Sequence, residues 1–174
     1  RQTTGPLIDA LQAEAQKRRY SNFDINYDTD DPFAILLPYL AHWKGLGQQS
    51  ATRAVAELRL KQPEAAFRDT LFCLHMSETL KDDPILISFL VSVALREIGI
   101  SAVWYGLGTR QWNARQLEEL QARIEGVNML SQVRRALNWE RVLGQRGIDG
   151  FARQVPHKMT YATLRSSMEE GAPR

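Results

Sequence analysis

Asp83-Pro84-Ile85-Leu86-Ile87-Ser88-Phe89-Leu90-Val91-Ser92-Val93-Ala94-Leu95-Arg96-Glu97-Ile98-Gly99-Ile100-Ser101-Ala102-Val103-Trp104-Tyr105 is the stretch on which the fold turns. Asp ahead of Pro is a helix start, because the carboxylate caps free N–H groups and proline suits the first turn. The residues that follow are apolar on nearly every side until Arg96. A helix hydrophobic all round is normally the buried centre of a helical protein. Gly99 inside it costs about 1 kcal/mol relative to Ala, which a close helix crossing would explain. Gly106 and Gly108 end the segment.

The flanking sequence supplies helices to surround that centre. On the N-terminal side, Leu7, Ala10, Leu11, Glu14 and Ala15 recur at three-and-four spacing after Pro6, giving a helix that ends near Arg18-Arg19-Tyr20. In residues 21–31 the apolar Phe23, Ile25 and Tyr27 alternate with polar neighbours, as in an extended loop laid on the body. Asp31-Pro32 repeats the start signal. Pro38 kinks the next helix or restarts it, and Gly45 and Gly47 allow a break. A helix then runs to about Lys61 with Ala51, Ala54, Val55 and Leu58 inward. Another begins at Pro63, with Ala66, Phe67, Thr70, Leu71, Cys73 and Leu74 inward.

On the C-terminal side, Asn113 with Gln116 spells a capping box, and Trp112 with Leu117 a hydrophobic staple. That helix reaches about Gly126, and a further one spans Met129 to Gly144. A loop is expected from Gly147 through Pro156, then a short helix near Tyr161–Glu169. Nothing calls for a sheet. The expected fold is all-α, an antiparallel helix-hairpin array or irregular bundle, in one domain over residues 1–174 with its core in about 6–150.

Bulk properties bound the function. The chain has 174 residues, 44% hydrophobic and 24% charged, as a globular domain does. Net charge is +2, with 11 basic and 13 acidic residues in 1–108 and 11 and 7 in 109–174. Nucleic-acid binders carry a larger and more clustered excess, so no nucleic-acid partner is expected. The apolar run Ile85 to Leu95 reads as too short to cross a bilayer, with Arg96-Glu97 following at once. The chain opens on Arg1 without Met or signal-like segment, as a trimmed piece of something longer would.

The chemistry-bearing residues form no established motif. Asp24, Asn26, Asp28 and Asp30 copy the first ligand positions of a calcium loop, but Thr29 stands at its glycine and Ile35 at its glutamate. His75 and Glu78 share a helix face without further ligands at metal spacing, and His42 and His157 lie far off. Cys73 sits on an apolar face and reads as a small hydrophobe. Glu140 and Arg141 point apart on their helix and suit structural ion pairs. No metal, cofactor or catalytic residue is expected. Trp104, Tyr105 and Trp112 cluster about a glycine-rich turn, either as core or as the lining of a partner groove.

Two resemblances follow from these residues. Lys61-Gln62-Pro63-Glu64-Ala65-Ala66-Phe67, with Ala54, Ala66 and Cys73 where helices approach, looks like a tetratricopeptide-type hairpin over 47–81; Thr70 stands at its usual aromatic. The order of Arg19-Tyr20, Phe23-Asp24, Leu37-Pro38-Tyr39-Leu40, the Ala54–Arg59 helix, Pro63-Glu64-Ala65-Ala66, Asp83-Pro84-Ile85-Leu86-Ile87-Ser88, Trp112-Asn113, Gln116-Leu117, Leu137 and Glu140-Arg141 resembles a family of uncharacterised bacterial helical proteins. Members often follow an N-terminal membrane anchor, so the resemblance implies an extracytoplasmic location, and it points to a fold and a bacterial origin more than to a function. The expected function is a non-enzymatic scaffold that binds another protein. The alternatives are a small-molecule or lipid-binding helical domain with a cavity beneath 84–105, and an enzyme whose carboxylates meet only in three dimensions.

Overall fold

A computed structural model describes residues 5–15, 17, 23–29 and 31–154. Among these residues the chain is all-helical. Helix α1 is Gly5–Ala15, a 3₁₀ turn covers Pro32–Ala34, and α2 is Pro38–Arg59. Then come α3 (Pro63–Thr79), α4 (Leu86–Gly108), α5 (Ala114–Glu125) and α6 (Met129–Gln154). No strand occurs among the described residues.

The contacts group the chain into two compact units. One holds residues 1–25 and 36–140, the other 26–35 and 141–174. The first is an antiparallel bundle of α1 to α5 with the start of α6. Helices α2, α3 and α4 pack mutually, and α1 and α5 lie on α3. One end of its core gathers Ala54, Leu58, Ala66, Leu74, Ala102, Val103, Trp112 and Leu120. The other gathers Ile8, Leu40, Phe72, Met76, Leu80 and Leu95, with Phe23 stacked on Tyr39 at 4.1 Å. The period-two reading of the loop holds, since Phe23, Ile25 and Tyr27 are half-buried while Asp24, Asn26 and Asp28 are exposed. Lys61, at φ 60, turns α2 back into α3, and Ala54, Ala66 and Cys73 are fully buried in that hairpin.

In the second unit, Arg146 pairs with Asp28 at 2.9 Å, so this loop aspartate meets a guanidinium. Residues 155–174, where the short C-terminal helix was expected, lie outside the described residues.

The structure corrects several expectations. Gly45 and Gly47 do not break α2, because Gly47 is where Leu95 of α4 packs: a Cβ there would fall on the Leu95 methyl. Nor do Gly144, Gly147 and Gly150 stop α6, which continues to Gln154 with Leu143, Gly147 and Gly150 buried along one face. Asp83 does not cap α4. Its carboxylate accepts from Tyr39 and, at 2.7 Å, from Ser88. The first amide of α4, at Leu86, donates instead to Glu140 of α6 at 2.8 Å, which gives that carboxylate a capping role.

The central helix is α3, not α4. Nine of the twelve residues from Asp69 to Leu80 are buried, the polar Asp69, Thr70, Ser77 and Thr79 among them. Helix α4 turns a seam of small residues inward: Ser88, Ser92, Gly99, Ala102 and Gly106, with Leu95 among them, at three-and-four spacing. Small side chains let backbones approach. A Cβ on Gly99 would stand 2.8 Å from Leu74. The larger residues therefore point out, with Ile87 46%, Leu90 51% and Trp104 68% exposed.

Candidate functional site

Three arrangements in the bundle bear on function. The first is the outer face of α4. Leu90, Glu97 and Trp104 fall seven residues apart, hence on one line of the helix. All three are exposed, with Ile87 beside them and half-buried Leu86, Val93 and Ala94 at the flanks. The stripe runs about 25 Å from Ile87 to Trp104 at roughly 1.5 Å per residue. Helix α4 as a whole is long and apolar enough to cross a membrane by length and composition, with a mean hydropathy of 1.8 over its most apolar stretch. This revises the reading of its apolar run as too short. Its inner face nevertheless packs on α2 and α3, and Arg96 reaches across to the Ile124 carbonyl of α5 at 3.1 Å.

The Trp104, Tyr105 and Trp112 cluster separates in space. Trp112 is in the core at 8% exposure, edge-on to Phe67, with its Nε1–H donating to the Val103 carbonyl at 2.9 Å. Tyr105 is half-buried under Arg59, whose Nε donates to the phenol oxygen at 3.2 Å while its guanidinium stands 5.7 Å from the ring centre. Trp104 alone of the three faces outward and belongs to the α4 stripe.

The second arrangement is a cleft of about 270 Å³ between α3, α4 and the α5–α6 turn. Its charged lining is Glu78 from α3, Lys81 from the turn that follows it, Arg96 from α4 and Arg123 from α5, with Ser77, Ser92 and Gln132 beside them. Arg123 donates to Glu78 at 2.6 Å. Burial pushes the Arg96 guanidinium below its ordinary pKa, and Glu78 opposes that shift. Across the same ion pair lies a second cleft, about 190 Å³, lined by Gln12, Arg68, Phe72, His75, Glu119 and Arg123. Burial holds the pKa of His75 below its usual value, so its imidazole is neutral at pH 7. The shared face of His75 and Glu78 is thus real, but arginines meet it, not further metal ligands.

The third is a buried ion-pair node that the sequence reading missed. Asp69 of α3, 1% exposed, takes Nε of Arg53 on one oxygen and the Arg53 Nη2 and Gln12 Nε2 on the other, the latter two at 2.6 Å. Arg53 also meets Asp9 at 2.8 Å, tying α1 to α2 and α3. Close by, burial and then the Asp69 charge push Glu57 up to about 7. One of its oxygens is buried without a hydrogen-bond partner among the described residues. The only earlier signal was one of type: a charged residue at a core-facing helical position.

Cys73 is fully buried and burial pushes its thiol up to about 12, which keeps it protonated and unreactive. Among the described residues, no three His, Cys, Asp or Glu side chains gather as metal ligands would. No protein-family model, curated protein or solved structure matches this chain.

Proposed function

We propose that this domain is a helical docking module that takes an amphipathic helix of a partner protein against the outer face of α4. The observation that carries this reading is the exposed line Leu90–Glu97–Trp104 with Ile87 beside it. Contiguous exposed apolar side chains on a folded domain mark interaction sites, and Trp is enriched at the centres of interfaces. Glu97 supports a protein over a lipid partner. A carboxylate in the middle of the stripe is costly against hydrocarbon, whereas a partner helix supplies a Lys or Arg opposite it. The likeness of residues 47–81 to a tetratricopeptide hairpin, a unit that stacks into protein-binding surfaces, supports the same reading.

The test is photo-crosslinking in the native source, with a photoreactive residue placed at Leu90, at Trp104 or at the exposed Glu118 of α5. The docking reading expects a peptide adduct from one protein at positions 90 and 104 but not at 118, abolished by Glu97→Lys. Adducts with lipid alone, or equal capture at 118, would refute it.

A further inference from the structure

The outward faces of α4 and α6 carry the same spacing. On α4, Ile87, Leu90, Ala94, Glu97, Ser101 and Trp104 follow at alternating steps of three and four. On α6, one continuous helix, Phe151, Ile148, Gly144, Arg141, Leu137 and Arg134 do the same when read backwards. All of them are exposed or half-buried. Alternating steps of three and four make the seam of a coiled coil. Glu97, Arg134 and Arg141 form no ion pair among the described residues. Gly144 fronts open space, since a Cβ there would meet nothing within 4 Å. Ile148 and Phe151 are 63% and 62% exposed.

We propose that the helix docked on α4 is α6 of a second copy of this chain, antiparallel to it. The inference rests on the docking reading of α4 and names the occupant. With Glu97 opposite Arg141, Leu90 falls opposite Ile148 and Ile87 opposite Phe151, so apolar side chains meet. Ala94 falls opposite Gly144, where two small residues let the helices approach closely. Trp104 falls opposite Arg134, whose guanidinium covers the indole as a cation–π pair. A parallel arrangement with the same ion pair would set Leu90 against Arg134 and Ile87 against Ser131, which wastes both apolar residues. The contact joins unlike faces and is heterologous. It runs about 25 Å along single helices, less than a standard stable interface, so copies associate only as concentration rises.

Sedimentation equilibrium of the folded chain tests this. The parent should associate reversibly as its concentration rises. Glu97→Arg or Arg141→Glu alone should raise the concentration required about tenfold or more, because like charges then face each other. An equimolar mixture of the two variants should associate as the parent does, since each copy then meets its opposite charge. Both positions are exposed, so neither change disturbs the core. For the register, Leu90→Cys should form a disulfide on oxidation with Ile148→Cys of another copy, and none with Leu130→Cys; the native Cys73 is buried and takes no part. A chain that stays monomeric, association indifferent to the single reversals, or a mixture that fails to associate would overturn the proposal. A monomeric chain whose positions 90 and 104 still crosslink to a different protein in the native source would overturn it and leave the docking reading intact. Adducts with lipid alone would overturn both.

Discussion

The indole of Trp112 occupies the space that a side chain on Gly106 would need. A Cβ at Gly106 would fall inside the indole, which is pinned by its hydrogen bond to Val103. The ring has nowhere to retreat, being packed on Phe67. Gly106→Ala is thus expected to cost about 3 kcal/mol, the upper part of the range for overpacking. Gly45 is the contrast: it is also helical, but a Cβ there meets nothing within 4 Å. Gly45→Ala should stabilise the protein by about 1 kcal/mol. Urea unfolding of the two variants beside the parent checks both signs.

The Arg53–Asp69 pair predicts a strong asymmetry between single and double substitution. Arg53→Met leaves the buried Asp69 carboxylate without its guanidinium, so a loss of about 3–5 kcal/mol is expected. Replacing both, as Arg53→Met with Asp69→Leu, should recover most of it, since two apolar side chains leave no orphan charge. Helix α1 should loosen in the single variant, because Gln12 and Asp9 bind the same node. Hydrogen exchange across Gly5–Ala15 reads that directly.

Glu57 and His75 pull pH dependence in opposite directions. The folded pKa of Glu57 is raised from 4.5 to about 7, so the folded chain keeps a proton that the unfolded chain releases. The resulting stabilisation is complete below about 4.5 and lost as pH rises through about 7. Glu57→Gln should gain stability over the parent between pH 5 and 8, by about 1 kcal/mol once solvent screening is allowed for. His75 has a folded pKa below 6.5, so its contribution is full above 6.5 and is lost as pH falls below that value. His75→Gln should flatten the acid side of the curve. Melting temperatures from pH 4.5 to 8 for the three proteins separate the two effects.

What was legible in the sequence was local. Asn113 and Gln116 form the capping box with reciprocal hydrogen bonds of 2.9 and 3.0 Å, because both partners lie within one turn. Asn113→Ala should therefore cost about 1 kcal/mol, measured by thermal or urea unfolding. The alternation of Phe23, Ile25 and Tyr27 was equally readable. The orientation of α4 was not, since large apolar residues surround it and hydrophobic periodicity is silent there. The usable signal was the complementary one, the three-and-four spacing of Ser88, Ser92, Gly99 and Gly106. The glycines of α2 and α6 read as breaks because sequence does not reveal which helix will press against them. The clefts were half-visible: His75 and Glu78 share a face by spacing, but Arg96 and Arg123 arrive from other helices.

The account rests on α4 burying its small residues and presenting its large ones, and cysteine accessibility tests that most directly. Thiol labelling rates would be compared for Leu90→Cys, Trp104→Cys and Ser88→Cys, with the buried Cys73 as internal reference. Rapid modification is predicted at 90 and 104 in the native protein, and modification at 88 as slow as at Cys73. Fast labelling at 88 with protection at 90 and 104 would mean that α4 faces the other way, and the docking surface would not exist.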